Sequence, residues 1–129
     1  MLFDTDVLIW AFRGSPAAQK VIDDATGRCI SAVTYMELMQ DAKNKLEQRY
    51  IKQFLATLDF QILPITENIS HRASIYIEEY ALQTGISLAD ALVFATAFEN
   101  SLCLCSGNRK HYQAISALET VFFKADNTF

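Results

Sequence analysis

The chain has 129 residues, with 15 acidic side chains against 11 basic ones, a formal charge of -4 and a pI near 5.0. Its 51% of apolar residues is too much for a disordered protein and enough for one hydrophobic core, so the length points to a single domain over 1–129. The acidic balance excludes a protein that holds nucleic acid by bulk charge alone; any nucleic-acid chemistry must come from a local site.

Met1 to Phe3 is a short apolar run ended by Asp4 and predicts a buried first strand. Thr5 to Phe12 is almost wholly apolar and predicts a buried helix. Arg13-Gly14-Ser15-Pro16 stops that helix and starts another, with Ser15 as cap and Pro16 at the first helical position; the new helix is expected to run to Gly27. Arg28 to Ala32 reads as a second strand, followed by a helix from about Thr34 and a further helix through Leu58, where Tyr50, Ile51, Phe54, Leu55 and Leu58 recur at helical spacing. Gln61 to Ile65 is a short strand containing Pro64. A helix from Thr66 ends at the Thr84-Gly85-Ile86 break. Ser87 opens a helix through Asn100, Leu102 to Cys105 is a fourth strand, Ser106-Gly107-Asn108 is a turn, and Val121 to Phe123 is a candidate last strand. Short apolar strands alternating with helices predict an α/β fold, a three-layer sandwich around a parallel sheet of four to five strands.

Cys29, Cys103 and Cys105 make an odd count without metal-ligand spacing, and Cys103 and Cys105 would share one face of a strand, a poor arrangement for a disulfide. A reduced, cytoplasmic protein is the simplest expectation. Met1-Leu2-Phe3-Asp4 carries no basic leader pattern, and no apolar stretch approaches the ~20 residues of a membrane helix, so no membrane association is expected.

The acids fall at particular places. Asp4 ends the first strand, Glu37 lies just past the second, and Ser106 and Asn108 follow the fourth. In open α/β sheets ligands bind beyond the carboxyl ends of the strands. The start of the Ser87 helix can bring Asp90 to the same edge, provided the helix from Thr66 to Thr84 returns the chain there. Each acid also has a structural explanation. Asp4 can cap the helix from Thr5, and Thr34-x-x-Glu37 and Ser87-x-x-Asp90 both match a capping box. Two features favour a metal site over three unrelated caps. The helix Leu88-Ala89-Asp90-Ala91-Leu92-Val93-Phe94-Ala95 is apolar nearly all round, so its single charge calls for a partner. Carboxylates gathered at one edge also repel one another unless a cation lies between them. A hard divalent ion with oxygen ligands suits such a cluster; it can generate a hydroxide nucleophile and stabilise a pentavalent phosphoryl transition state.

Four segments carry a resemblance to the PIN-domain nucleases and, within them, to the VapC-type toxins of toxin–antitoxin pairs: Asp4-Thr5-Asp6-Val7-Leu8-Ile9, Ser31-Ala32-Val33-Thr34-Tyr35-Met36-Glu37-Leu38, Gly85-Ile86-Ser87-Leu88-Ala89-Asp90-Ala91-Leu92, and Leu104-Cys105-Ser106-Gly107-Asn108-Arg109-Lys110-His111-Tyr112. They stand in the family's order and spacing. The resemblance implies an endoribonuclease that uses Mg²⁺ or Mn²⁺, with Asp4, Glu37 and Asp90 as the acidic metal-binding triad and Asp6, Ser106 and Asn108 supporting it. It also implies a homodimer and a VapB-type antitoxin that blocks the site. The chain departs from many relatives by carrying His111 where they have a fourth acid, which puts a second metal in doubt and leaves His111 as a phosphate contact, a proton-transfer group or a turn residue. Asp41, one helical turn beyond Glu37, is a candidate substitute or a solvated surface acid.

Arg109 and Lys110 flank the proposed site and are candidate contacts to RNA phosphates, or simply solvated turn cations. Lys43, Lys45, Arg49 and Lys52 read as a solvated stripe. Trp10 and Phe12 read as core, with base stacking as the other possibility. Two other readings remain open on sequence. One is a phosphatase of the haloacid dehalogenase type with Asp4 as nucleophile, suggested by Asp4-Thr5-Asp6 after an apolar strand; the other is a non-catalytic interaction domain on the same fold.

Overall fold

The computed structural model describes residues 1–125. Neighbouring side chains on a strand point to opposite faces, and here that alternation divides the core in two. In β1 (Leu2–Phe3), Leu2 enters one core and Phe3 the other; in β2 (Cys29–Ser31), Cys29 and Ile30 divide in the same way. With β3 (Gln61–Leu63), β4 (Leu104–Ser106) and β5 (Thr120–Phe122) they form one parallel sheet in the order β3-β2-β1-β4-β5. β1, β2 and β4 are fully buried, as expected for the centre of a parallel sheet, while β3 and β5 are the more exposed edges.

One core lies under α1 (Thr5–Phe12), α2 (Pro16–Asp24) and α4 (Lys45–Thr57), through Val7, Leu8, Ile22 and Ile51. The other lies under α5 (Glu67–Thr84) and α6 (Leu88–Glu99), through Ile69, Tyr76 and Phe94. α3 (Ala32–Asp41) contributes Val33 to the second core and Leu38 to the first. The expected three-layer α/β/α sandwich is therefore present, with five strands. Arg72 of α5 joins the helix pair from outside, pairing with Glu99 while its guanidinium covers the Phe98 ring at 3.9 Å.

Several boundaries differ from the sequence reading for identifiable reasons. α2 ends at Asp24 rather than Gly27 because the Arg28 side chain finishes it: Nε donates to Ile22 O at 2.8 Å and Nη2 to Asp23 O at 3.1 Å. Nη1 of the same residue donates to Leu58 O, just past α4. α3 begins at Ala32, with Ser31 Oγ accepting from Val33 N, so Thr34 lies inside the helix and caps nothing. β4 begins at Leu104, since Leu102 N still donates back to Ala97 O after a left-handed Ser101. Cys103 therefore precedes the strand, although its carbonyl already accepts from Leu2 N as that of Cys105 does from Asp4 N; the three cysteines are free thiols. α6 is not apolar all round in effect, since Leu88 is largely exposed. Between α5 and α6, Gly85 adopts φ 73°, the left-handed conformation that closes a helix and that glycine takes at little cost.

Candidate functional site

β1 has β2 on one side and β4 on the other, so the chain order reverses there; at such a point an α/β sheet leaves a crevice at its carboxyl edge. Asp4 follows β1 and is buried. It caps α1 by accepting from Thr5 N at 2.8 Å, and its other oxygen accepts from the fully buried Ser106 hydroxyl at 2.8 Å. The capping role and the site position thus belong to the same carboxyl group. Ser106 Oγ in turn accepts from Asn108 N.

Asp6, in the first turn of α1, accepts from Gly107 N at 2.9 Å through Oδ2. A Cβ at position 107 would stand 2.8 Å from that oxygen and 3.1 Å from Phe123 O, so the contact needs the bare backbone of glycine. Asp6 Oδ1 is buried and has no hydrogen-bond partner among the described residues.

Glu37 accepts from the Thr5 hydroxyl at 2.7 Å, and Thr5 Oγ1 also lies 3.0 Å from Thr34 Oγ1. The expected Thr34–Glu37 capping box is absent. Thr34 is instead a buried part of a tie between α1 and α3 that aims Glu37 at the strand edge. The Ser87–Asp90 capping box is present: Asp90 N donates to Ser87 Oγ, and Ser87 N donates to Asp90 Oδ2. Asp90 nevertheless reaches the edge, where Asn108 Nδ2 lies 3.5 Å from its Oδ2. The chain's return after α5, which periodicity left open, is thereby settled.

Asp4, Thr5, Asp6, Glu37, Asp90 and Asn108 line one open pocket of about 400 Å³. Burial, followed by the Asp6 charge, pushes the Asp4 carboxyl up from 3.8 to about 7, against the opposing effect of the Ser106 and Thr5 hydrogen bonds. Burial also raises Asp6. Among the described residues, no three His, Cys, Asp or Glu side chains stand close enough as placed to hold an ion. The four acids are each turned toward a protein donor. The donor set nevertheless fits a hard divalent cation: oxygen ligands, no thiol in the pocket, and one buried carboxylate oxygen, Asp6 Oδ1, without a partner.

Other candidate residues fall outside the pocket. Arg109 and Lys110 are exposed at the start of α7 (Arg109–Tyr112), with the Arg109 guanidinium 5.3 Å from the Phe122 ring centre. Asp41 is exposed and lines a separate groove with Lys43, Glu47 and Tyr50, so it does not stand in for a fourth acid. Lys43, Lys45, Arg49 and Lys52 are exposed. Trp10 and Phe12 are half-buried against the first core, Phe12 edge-on to Tyr50 and Phe54. Sequence reasoning missed Thr5 and Gly107 and gave Thr34 only a capping role. It also left unassigned the contact of His111, whose Nδ1 lies 2.9 Å from Asp90 Oδ2 and 2.7 Å from Asn108 Nδ2.

A family model described as PIN domain matches residues 1–116. The chain is similar to a toxin–antitoxin complex from Klebsiella pneumoniae, at 31% identity and a TM-score of 0.78 over 93% of this chain and 94% of that one. FitAcB from Neisseria gonorrhoeae shares the fold at 24% identity, with a TM-score of 0.73 over 92% and 94% of the two chains. So does VapBC2 from Rickettsia felis, bound to a DNA fragment from its promoter, at 17% identity and a TM-score of 0.79 over 95% and 98%. No curated protein matches the chain.

Proposed function

The chain belongs to the PIN-domain family, and we propose that it is a divalent-metal-dependent endoribonuclease, the toxin of a VapBC-type toxin–antitoxin pair. The observation that supports the reading best is the meeting of Asp4, Glu37 and Asp90, residues far apart in sequence, on one pocket at the carboxyl edge of the sheet. These three would hold the ion, Mg²⁺ or Mn²⁺, with Asp6 beside them. When bound, the ion supplies charge stabilisation at the phosphodiester and activates water for attack on phosphorus.

The chain's own groups have distinct tasks in this reading. Ser106 and Thr5 N hold Asp4, the Thr5 hydroxyl holds Glu37, and Gly107 N holds Asp6, so the carboxylates stay in place when the site is empty of substrate. Holding an ion would require these side chains to turn from those donors toward one another, so the hydrogen bonds keep the acids at one edge without setting their final positions. Arg109 and Lys110 lie just past Asn108 and are free to meet RNA phosphates, supplying locally the positive charge that the whole chain lacks. A VapB-type antitoxin as inhibitor, a homodimer as the working form and the cytoplasm as the working place complete the proposal. The likeness to the Klebsiella toxin–antitoxin complex supports the partner. Among the described residues, no helix is long and apolar enough to cross a membrane.

Expression of the wild type and of Asp4→Asn in cells, with growth followed and RNA ends mapped, tests the proposal. We expect arrested growth and cuts at defined RNA positions with the wild type, and neither with the variant. Full metal-dependent cleavage by Asp4→Asn or Asp90→Asn would sink it.

A further inference from the structure

His111 touches a pocket acid without belonging to the acidic set: its contact with Asp90 spans 21 residues and joins α7 to the start of α6. Its ring nitrogen Nδ1 is 2.9 Å from Asp90 Oδ2, and the side chains of the pair are 22% and 18% exposed, so the contact is largely shielded from water. One ring nitrogen carries either a proton or a lone pair. Beside a carboxylate oxygen, which only accepts, the matching form is Nδ1–H donating to Oδ2. Asn108 packs on the same atoms, 2.7 Å from Nδ1 and 3.5 Å from Oδ2. With Nδ1–H as the donor, the Asn108 atom at 2.7 Å must be the amide oxygen, since two N–H donors would repel at that distance, and Nδ1–H is then shared between that oxygen and Asp90 Oδ2. Ser87 N adds a third approach to Oδ2. All of these contacts fall on Oδ2, leaving Oδ1 as the oxygen of Asp90 on which none of them falls.

The geometry assigns His111 as a positioning residue: it clamps Asp90 Oδ2, with Asn108 behind it, so that Asp90 presents its other oxygen to a divalent cation. This rests on the metal-site reading above. Among the described residues no other side chain with a ring or charged donor touches Asp90. Without His111, Asp90 would keep only the long contacts from Ser87 N and Asn108, and its carboxyl would be freer to rotate. Hydrogen bonds that orient a metal-binding carboxylate commonly change metal affinity about 10–100-fold when removed.

The test is calorimetric titration of the full chain with Mn²⁺, together with thermal melting of the metal-free protein, for the wild type, His111→Ala, His111→Asn and Asp4→Asn. Asn carries an amide N–H two bonds from Cβ, where Nδ1–H stands in the histidine, and Ala has no donor. We expect His111→Ala to weaken Mn²⁺ binding about 10-fold or more, His111→Asn to recover most of that loss, and both to melt within a few degrees of the wild type. Asp4→Asn is expected to bind no Mn²⁺ in the measurable range. Unchanged affinity in His111→Ala, with binding lost in Asp4→Asn, would overturn the positioning role and leave the metal site standing. An equal loss in Ala and Asn would overturn it too, because a donor at the Nδ1 position would then not be what matters. A wild type that binds no Mn²⁺, or an Asp4→Asn that binds it normally, would overturn the metal site and the positioning role together.

Discussion

Asp4 and Asp6 are held by backbone N–H groups and a fully buried serine, whereas Asp90 is held chiefly by side chains at a half-exposed helix start. The first pair belongs to the junction of β1 and β4, where three of the four carboxylate oxygens are held by hydrogen bonds. The second belongs to the junction of α6 and α7, where two side chains do the fixing. The contrast separates two kinds of sensitivity. Changes on the strand side should alter stability and function together, because the same groups serve both. Changes on the helix side should alter metal and substrate handling and leave the fold nearly intact.

The largest expected effect lies on the strand side. Asp4→Asn keeps the shape of the side chain but removes its charge, and should lower RNA cleavage by more than about 100-fold, the upper range for loss of a mere outer partner of a metal site. A single-turnover cleavage assay at saturating Mn²⁺ measures it. The same variant tests the electrostatics. Asp4 is raised to about 7 in the fold against 3.8 in the unfolded chain, so between about pH 4 and pH 7 the native state holds the extra proton. Stability of the metal-free protein must therefore fall as pH rises through that window. Denaturation in the presence of a chelator should show this loss, on the order of a few kcal/mol at most, since each tenfold change in proton affinity is worth about 1.4 kcal/mol. Asp4→Asn should depend less on pH over the same range, the raised Asp6 carboxyl leaving a smaller slope of the same sign, and so be more stable than the wild type at pH 8; Mn²⁺ added to the wild type at pH 8 should restore what was lost. A wild type that gains stability from pH 5 to pH 8 without metal contradicts the assignment.

Gly107→Ala comes next. Its methyl group would press on Asp6 Oδ2 and on the Phe123 carbonyl, and the cost expected for such overpacking is about 1–3 kcal/mol by urea denaturation. The variant distinguishes a stiff strand junction from one that can yield. Smaller again is Thr5→Val, which preserves shape and takes away both the donor to Glu37 and the hydroxyl partner of Thr34. A loss of about 1 kcal/mol is expected, together with weaker Mn²⁺ binding in titration. An unchanged Mn²⁺ affinity there would mean that Glu37 needs no holding.

The acids could be read from sequence because each sits where a local pattern changes: Asp4 at the end of an apolar run, Glu37 after the second run, Asp90 within an otherwise apolar helix. Their meeting place followed from the alternation of strands and helices. Thr34 shows the limit of local patterns. It matched a capping box with Glu37, yet the helix starts at Ala32 because Ser31 offers an earlier cap, and the threonine serves a contact with Thr5, 29 residues away. Gly107 gave no more than a turn signal, since what requires glycine there is the carboxylate of a residue 101 positions earlier. His111 was visible as a departure from a family pattern, but its contact depends on how α7 docks on α6, which no spacing within either segment encodes. Gly27 misled for a similar reason: the carbonyls it was expected to finish are taken by the guanidinium of its neighbour, Arg28.

That guanidinium has a consequence for cooperativity. Its three nitrogens are all committed: two close the end of α2 and the third closes the chain just beyond α4, while the residue itself leads into β2. Fraying of either helix end would leave unpaired donors on a group that the other end also uses. Opening one therefore loosens the other, and both loosen the entry to a central strand. Amide exchange near Ile22 and Leu58 should accordingly report a single opening event rather than two independent ones, which makes this corner of the molecule one unit in unfolding even though its parts are separated by an intervening strand and helix.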